Sequence, residues 1–186
     1  GRNGAGKSTL LLHTNGLLLP KSGEVNIGDV IVTKKTLKLV RQAVGMVFQN
    51  PDDQLFMPTV EEDVAFGPVN MGLPSAEVER RVSEALRAVG AEHLRKRPPH
   101  TLSGGQRRNV AIATVLSMEP DILVLDEPTS NLDLPSRRAF IDIVKGFSHT
   151  CLIASHDLPM VREVCTRALI VDDGIISFDG PVDEAI

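Results

Sequence analysis

Apolar residues in this chain fall into two kinds of run, short unbroken stretches and longer ones with helical spacing. Val44-Gly45-Met46-Val47-Phe48, Ile122-Leu123-Val124-Leu125, Cys151-Leu152-Ile153-Ala154 and Ala168-Leu169-Ile170-Val171 are unbroken. Runs without alternation fit strands covered on both faces, as in a parallel sheet. Residues 7–19 read as a helix that is apolar around most of its circumference, hence buried, and ended by Pro20. Over 75–89, Val78, Val82, Ala85, Leu86 and Val89 share one helical face, with Ser75 placed to cap the start and Gly90 to end it. Further helices are predicted over 36–42, 60–66 (capped by Thr59), 104–118 (Ser103 at the cap), 135–145 and from about Leu158. Weak alternation over 23–32 around Gly28-Asp29 predicts a hairpin. The order is α, β, a helical stretch, then βαβαβ. That predicts an α/β domain with a helix-flanked, mostly parallel sheet, residues 1–49 and 119–186 forming the core and 50–118 a helical insert.

Composition narrows the partners. The chain has 186 residues, room for one core and a small subdomain, and 42% of them are hydrophobic, as in an ordinary globular protein. A formal net charge of -4 gives no global basic field for nucleic acid. The densest basic stretch, His93 to His100, reads as a solvated turn. The two cysteines, Cys151 and Cys165, form no metal or disulfide spacing, which fits a reducing compartment, and Cys151 reads as a small buried hydrophobe. No uncharged apolar run approaches the ~20 residues that span a bilayer, so membrane attachment is expected through a partner.

Two motifs bring chemistry. Gly1-Arg2-Asn3-Gly4-Ala5-Gly6-Lys7-Ser8-Thr9 matches G-x-x-x-x-G-K-[ST], a loop whose amides cradle phosphate at a helix start. Lys7 can reach the β and γ phosphates, and the Ser8 hydroxyl can hold Mg²⁺. Leu102-Ser103-Gly104-Gly105-Gln106 opens another helix and makes a second anion site. Asp126 and Glu127 follow a predicted strand, where open parallel sheets bind ligands. Asp126 suits Mg²⁺, and Glu127 suits polarising a water that attacks the γ phosphate. Gln49, at another strand end, can contact Mg²⁺ and that water; His156 can bond a phosphate oxygen. His13, His93, His100 and His149 carry no such context.

Taken in order, these parts resemble an ATP-binding-cassette ATPase of the P-loop NTPase class: the Walker A loop, the Q-loop Gln49, the Leu102–Gln106 signature, the Walker B pair Asp126-Glu127, the D-loop Ser130-Asn131-Leu132-Asp133 and the switch His156. The resemblance covers essentially the whole chain. It implies that Asn3, Gly4, Ala5, Gly6, Lys7, Ser8 and Thr9 bind ATP, that Ser8, Gln49 and Asp126 serve Mg²⁺, and that Glu127, Gln49 and His156 are catalytic. It further implies a head-to-tail dimer, with the same chain or a sister ATPase. Ser103, Gly104, Gly105 and Gln106 would face the partner's nucleotide, and Asp133 would lie at the seam. The stretches Phe48-Gln49-Asn50-Pro51-Asp52-Asp53-Gln54-Leu55-Phe56 and Val64-Ala65-Phe66-Gly67-Pro68 are similar to energy-coupling-factor importers of the cobalt and nickel type. In those a transmembrane subunit docks beside the Q-loop, here near Phe56, at the cytoplasmic face of the membrane. Asn109 and Thr114 depart from that group, where a basic and a small residue are more common.

A phosphate loop normally follows a buried strand, which here lies outside the chain together with the usual adenine-stacking aromatic. The 186 residues alone are therefore expected to bind ATP poorly. Two other readings are a ribosome-associated tandem-cassette ATPase, marked by a second signature, and a nucleotide-binding module without turnover. The distance from Gln49 to Ser103 is too short for the coiled coil of DNA-maintenance relatives.

Overall fold

The computed structural model describes residues 4–130 and 132–186. Its centre is a parallel sheet in the order β3 (Val44–Val47), β4 (Ile122–Asp126), β5 (Thr150–Ala154). Val44 pairs with Ile122 and Val47 with Leu125; on the other side Ile122 pairs with Thr150 and Asp126 with Ala154. Every residue of β3, and β4 from Leu123 on, is buried, as the unbroken apolar runs require.

The predicted hairpin forms as β1 (Asn26–Ile27) and β2 (Val30–Ile31), antiparallel, and α2 (Leu37–Ala43) leads into β3. Between β3 and β4 the chain is helical. After a short 3-10 turn at Pro51–Asp53 come α3 (Val60–Asn70), α4 (Ser75–Ala88) and α5 (Gly104–Leu116). α6 (Leu134–Gly146) joins β4 to β5, and α7 (Leu158–Val164) follows β5. One apolar cluster runs through Val64, Leu86 and Ile112 of the helical stretch into Leu123, Leu125 and Phe140. Gly45 lets α5 approach the sheet: a Cβ there would lie 2.3 Å from Val115 Cγ1, so a side chain would push α5 off the sheet.

Four expectations change. The first helix, α1 (Lys7–Thr14), is shorter than 7–19; Gly16 takes φ +68 and turns the chain away. Only Leu11 of α1 is buried, and Leu10, Leu17 and Leu18 are exposed, because one face alone packs on β4 and β5. Ser75 does not cap α4: extended Pro74 occupies that place and Ser75 is the first helical residue. The run around Ala168 does not join the parallel sheet. It forms β6 (Arg167–Asp172), antiparallel to β7 (Ile175–Pro181). Asp173 (φ 45) and Gly174 (φ 78) make a two-residue left-handed turn, which fixes hairpin pairing. A cavity of about 910 Å³ separates β5 from β6, and α8 (Val182–Ala185) closes the chain. Finally, the basic stretch is more than solvated turn. Leu94 is buried, and Arg95 bridges Glu61 of α3 (2.8 Å) and Glu79 of α4 (2.5 Å).

No helix among the described residues is long and apolar enough to cross a membrane.

Candidate active site

Because β3 and β4 run in parallel, Gln49 and Glu127 leave the sheet at the same edge, and α1 begins beside them. Ligands collect at that edge of an open parallel sheet. A cavity of about 330 Å³ opens there, lined by Gly4, Gly6, Lys7, Ser8, Thr9, Gln49 and Glu127. Three separate sequence motifs thus meet in one pocket.

Gly6, at φ 100 and ψ 8, turns the chain into α1, and no side chain caps that helix. The first intrahelical bond is Leu10 N to Gly6 O at 2.9 Å. The amides before it have no intrahelical acceptor and carry the positive end of the helix into the cavity. Gly174 N, at the tip of the β6–β7 hairpin, donates to Ala5 O at 3.0 Å and supports the loop from behind.

Glu127 continues the ladder one residue past β4, its N–H donating to Ala154 O at 2.8 Å. Its φ of 45 is strained for a non-glycine residue and aims the side chain off the strand line. Glu127 Oε2 accepts from His156 N at 3.3 Å and lies 2.7 Å from His156 Nδ1. The carboxylate side chain is 11% exposed, the imidazole 69%. Asp126 precedes it, buried, and does not itself line the cavity. Its Oδ1 has no hydrogen-bond partner among the described residues. A buried carboxylate oxygen without a donor is costly, and its chemistry fits a magnesium ion and its waters, with Ser8 and Gln49 nearby on the cavity wall.

His156 is held by its neighbour. Asp157 caps α7 through Met160 N (3.1 Å) and accepts from Arg137 of α6 (2.6 and 2.8 Å) and from Thr129 (3.1 Å). The Arg137 guanidinium is the main cause that holds the Asp157 carboxyl down at about 2.

The signature lies elsewhere, outside the cavity lining. Ser103 caps α5, accepting from Gln106 N at 3.3 Å, while Ser103 N donates to Gln106 Oε1 at 3.0 Å. Ser103 and Gly104 are exposed. A Cβ on Gly104 would meet nothing within 4 Å, so this chain's own packing does not demand glycine there. Asp133 caps α6 through Ser136 N (2.9 Å), also outside the cavity, and those Ser136 hydrogen bonds hold its carboxyl below the usual range. Asn3, with Gly1, Arg2 and Asn131, lies outside the described residues.

Two residues beside the site escaped the sequence reading. Arg108 is 4% exposed and donates to Phe48 O (2.9 Å) and Gln49 O (2.6 Å). Gln54 reaches from the loop to α5, donating to Ala111 O and Thr114 Oγ1. A signal existed: Arg108, Ala111, Ile112 and Val115 recur at i, i+3, i+4 and i+7, which puts the arginine on the buried face.

Beside that loop a shallower groove of about 220 Å³ is lined by Arg41, Phe48, Phe56, Asp63, Phe66 and Met118, among others. Phe56 and Phe66 stack edge to face, centroids 4.9 Å apart, yet are 64% and 46% exposed. Asp63 Oδ1 holds the loop by accepting from Phe56 N and Met57 N, both at 3.0 Å; burial raises its carboxyl above the ordinary value.

Known proteins resemble this chain over most of its length. The family model described as ABC transporter matches residues 1–130. An ABC transporter ATP-binding protein of Geobacter sulfurreducens is 62% identical over 181 residues, covering 97% of this chain and 73% of that one. The energy-coupling factor transporter ATP-binding protein EcfA of Methanocaldococcus jannaschii is 50% identical over 189 residues, covering 99% and 68%. Among solved structures, cbiO1 from Clostridium perfringens, part of the ABC transporter complex cbiONQ, superimposes with a TM-score of 0.89 at 41% identity, covering 100% of this chain and 76% of that one. The ATP-binding cassette MJ0796, a dimer in a post-hydrolysis state with ADP and Pi, gives 0.85 at 28% identity, covering 98% and 83%.

Proposed function

This chain belongs to the ABC transporter family of ATP-binding proteins, an ATPase family, and from that premise we propose that it drives substrate import as the ATP-hydrolysing subunit of an energy-coupling-factor importer. Its cargo would be a cobalt or nickel ion or a vitamin. The carrying observation is the single cavity shared by Lys7, Gln49 and Glu127.

In this reading the uncapped amides of α1 and Lys7 bind the β and γ phosphates. Asp126, Ser8 and Gln49 hold Mg²⁺, which when bound neutralises charge on the phosphate oxygens. Glu127 takes a proton from the attacking water as its oxygen bonds to the γ phosphorus and the bond to ADP breaks. His156, anchored through Asp157, keeps the Glu127 carboxylate in place. Ser103, Gly104 and Gly105 of a second cassette, identical or a sister, close on the γ phosphate, with Asp133 at the seam. Residues 50–118 act as a helical unit that carries the signature and receives the transmembrane subunit. The exposed Phe56–Phe66 pair supports that docking face; in this reading the chain sits peripherally, at the cytoplasmic side, through that partner.

The test is Glu127→Gln in the full-length protein: hydrolysis falls about 10²–10⁴-fold while ATP binding is kept. Unchanged turnover removes Glu127 from the chemistry. Co-purification with a transmembrane subunit, lost on Phe56→Asp, tests the importer reading separately.

A further inference from the structure

We propose that Arg108 and Gln54 lock the signature helix to the loop carrying Gln49, making Arg108 a positioning residue through which the Ser103 end of α5 governs Gln49. This rests on the ATPase reading above.

Phe48 and Gln49 lie beyond the β3–β4 register, which ends at Val47 and Leu125, so the sheet does not fix them. α5 does. The Arg108 guanidinium donates to both of their carbonyls, and the Gln54 carboxamide accepts from Phe48 N at 3.2 Å while donating to Ala111 O (2.8 Å) and Thr114 Oγ1 (2.7 Å). Loop and helix are therefore stitched at 108, 111 and 114, positions three apart on one helical face. A single bond would allow slippage; three along nearly two turns hold the loop to the helix as one body. Thr114, a departure from the related group, supplies one of these acceptors.

The cost of the arrangement argues for its use. Burying a guanidinium is expensive, and no carboxylate pairs with Arg108 among the described residues; Nε has no partner among them either. What the charge adds is a grip on two backbone carbonyls, one of them that of Gln49. Neighbouring Arg107 instead reaches exposed Asp52 at 3.2 Å, a surface pair. Ser103 lies five residues before Arg108, about 8 Å along a stiff helix at 1.5 Å per residue. A displacement of the capped end thus arrives at Gln49 with little loss. Neither Arg108 nor Gln54 lines the nucleotide cavity, so both act through the loop.

The experiment is a double-mutant cycle in the full-length dimer, read by steady-state ATPase kinetics. Arg108→Met should lower kcat about tenfold while KM for Mg-ATP moves less than about threefold, and Arg108→Lys should recover most of the loss. In a Gln49→Ala background, Arg108→Met should cost less than about twofold more, because its effect passes through Gln49. A full tenfold loss in that background, or an unchanged kcat, overturns the proposal. If Arg108→Met gives no cooperative thermal transition, the same cycle is run with Gln54→Ala, which cuts the other half of the stitch, and a loss of kcat that persists in full without Gln49 overturns it equally. A wild-type protein without turnover defeats the ATPase reading instead.

Discussion

α1 and α5 both start with a row of amides that no helical carbonyl can satisfy, yet only α5 engages part of that row with its own side chains. At α5 the Ser103 and Gln106 bonds complete each other, a capping box that needs no ligand. At α1 the cap residue is Gly6, with nothing to offer, and stability of the turn depends on backbone conformation and on Gly174 behind it. In the proposed function the difference separates two ways of meeting phosphate. In that reading the α1 end is the receptor for this chain's own nucleotide, its first turn capped by no side chain. The α5 end has its Ser103 and Gln106 amides satisfied while exposed, with Gly104 and Gly105 outside the box, which in the proposed function suits a surface that meets another subunit. It also keeps something in reserve: Ser103 Oγ uses a lone pair for the Gln106 amide, so its hydroxyl proton can still be given to an incoming anion.

The sharpest way to break this comparison is Ser103→Asp. Aspartate caps as well as serine but puts a negative charge where the hydroxyl proton was. The thermal midpoint should stay within about 2 °C of wild type, while ATP turnover of the dimer falls about 10²-fold. Equal turnover would mean that the capped end never meets phosphate.

Next in size is Gly6→Ala. The added Cβ meets only Gly174 Cα, at an ordinary 3.7 Å, so the cost is conformational. A left-handed alanine is about 1–2 kcal/mol unfavourable, which predicts roughly tenfold weaker Mg-ATP binding by titration calorimetry. Undiminished affinity would show that the turn into α1 is not what presents the amides.

The smallest effect concerns the brace behind His156. The Asp157 carboxyl is depressed to about 2, chiefly by Arg137. A depressed acid stabilises the fold above its unfolded pKa of ~3.9 and loses that contribution as pH falls through the folded value. The urea midpoint of wild type should therefore exceed that of Asp157→Asn by a constant margin above about pH 4, shrinking between about pH 4 and 2. A margin that is flat through that window would mean the pair with Arg137 adds nothing.

What could be read in advance follows the range of the interaction. Gly6-Lys7-Ser8, Ser103 with Gln106, and Asp133 before Pro135 are decided within a few residues, and the structure puts each at a helix start. The strand runs at Val44 and Ile122 were legible because full burial forbids alternation. The fate of Ala168–Val171 was not: an apolar run looks the same in a parallel sheet and in a hairpin, and the deciding residues, Asp173-Gly174, lie beyond it. Ser75 failed because serine before a helical pattern fits either the cap or the first turn, and Pro74 settled it. Arg108 needed the third dimension. Its periodicity put it on the buried face, but only the approach of the β3 end supplies the carbonyls that let a charge stay there.

The hydrogen bond from Gly174 N to Ala5 O sets the β6–β7 turn beside the loop that opens α1, so in the proposed function the turn borders the place where nucleotide enters and leaves. A small fluorophore on a cysteine introduced at exposed Asp173 would sit at the rim of the phosphate loop while leaving every side chain on the cavity wall untouched. Its emission would report loading and release in real time, without a labelled nucleotide, and a tag fused into that turn would for the same reason be a poor choice.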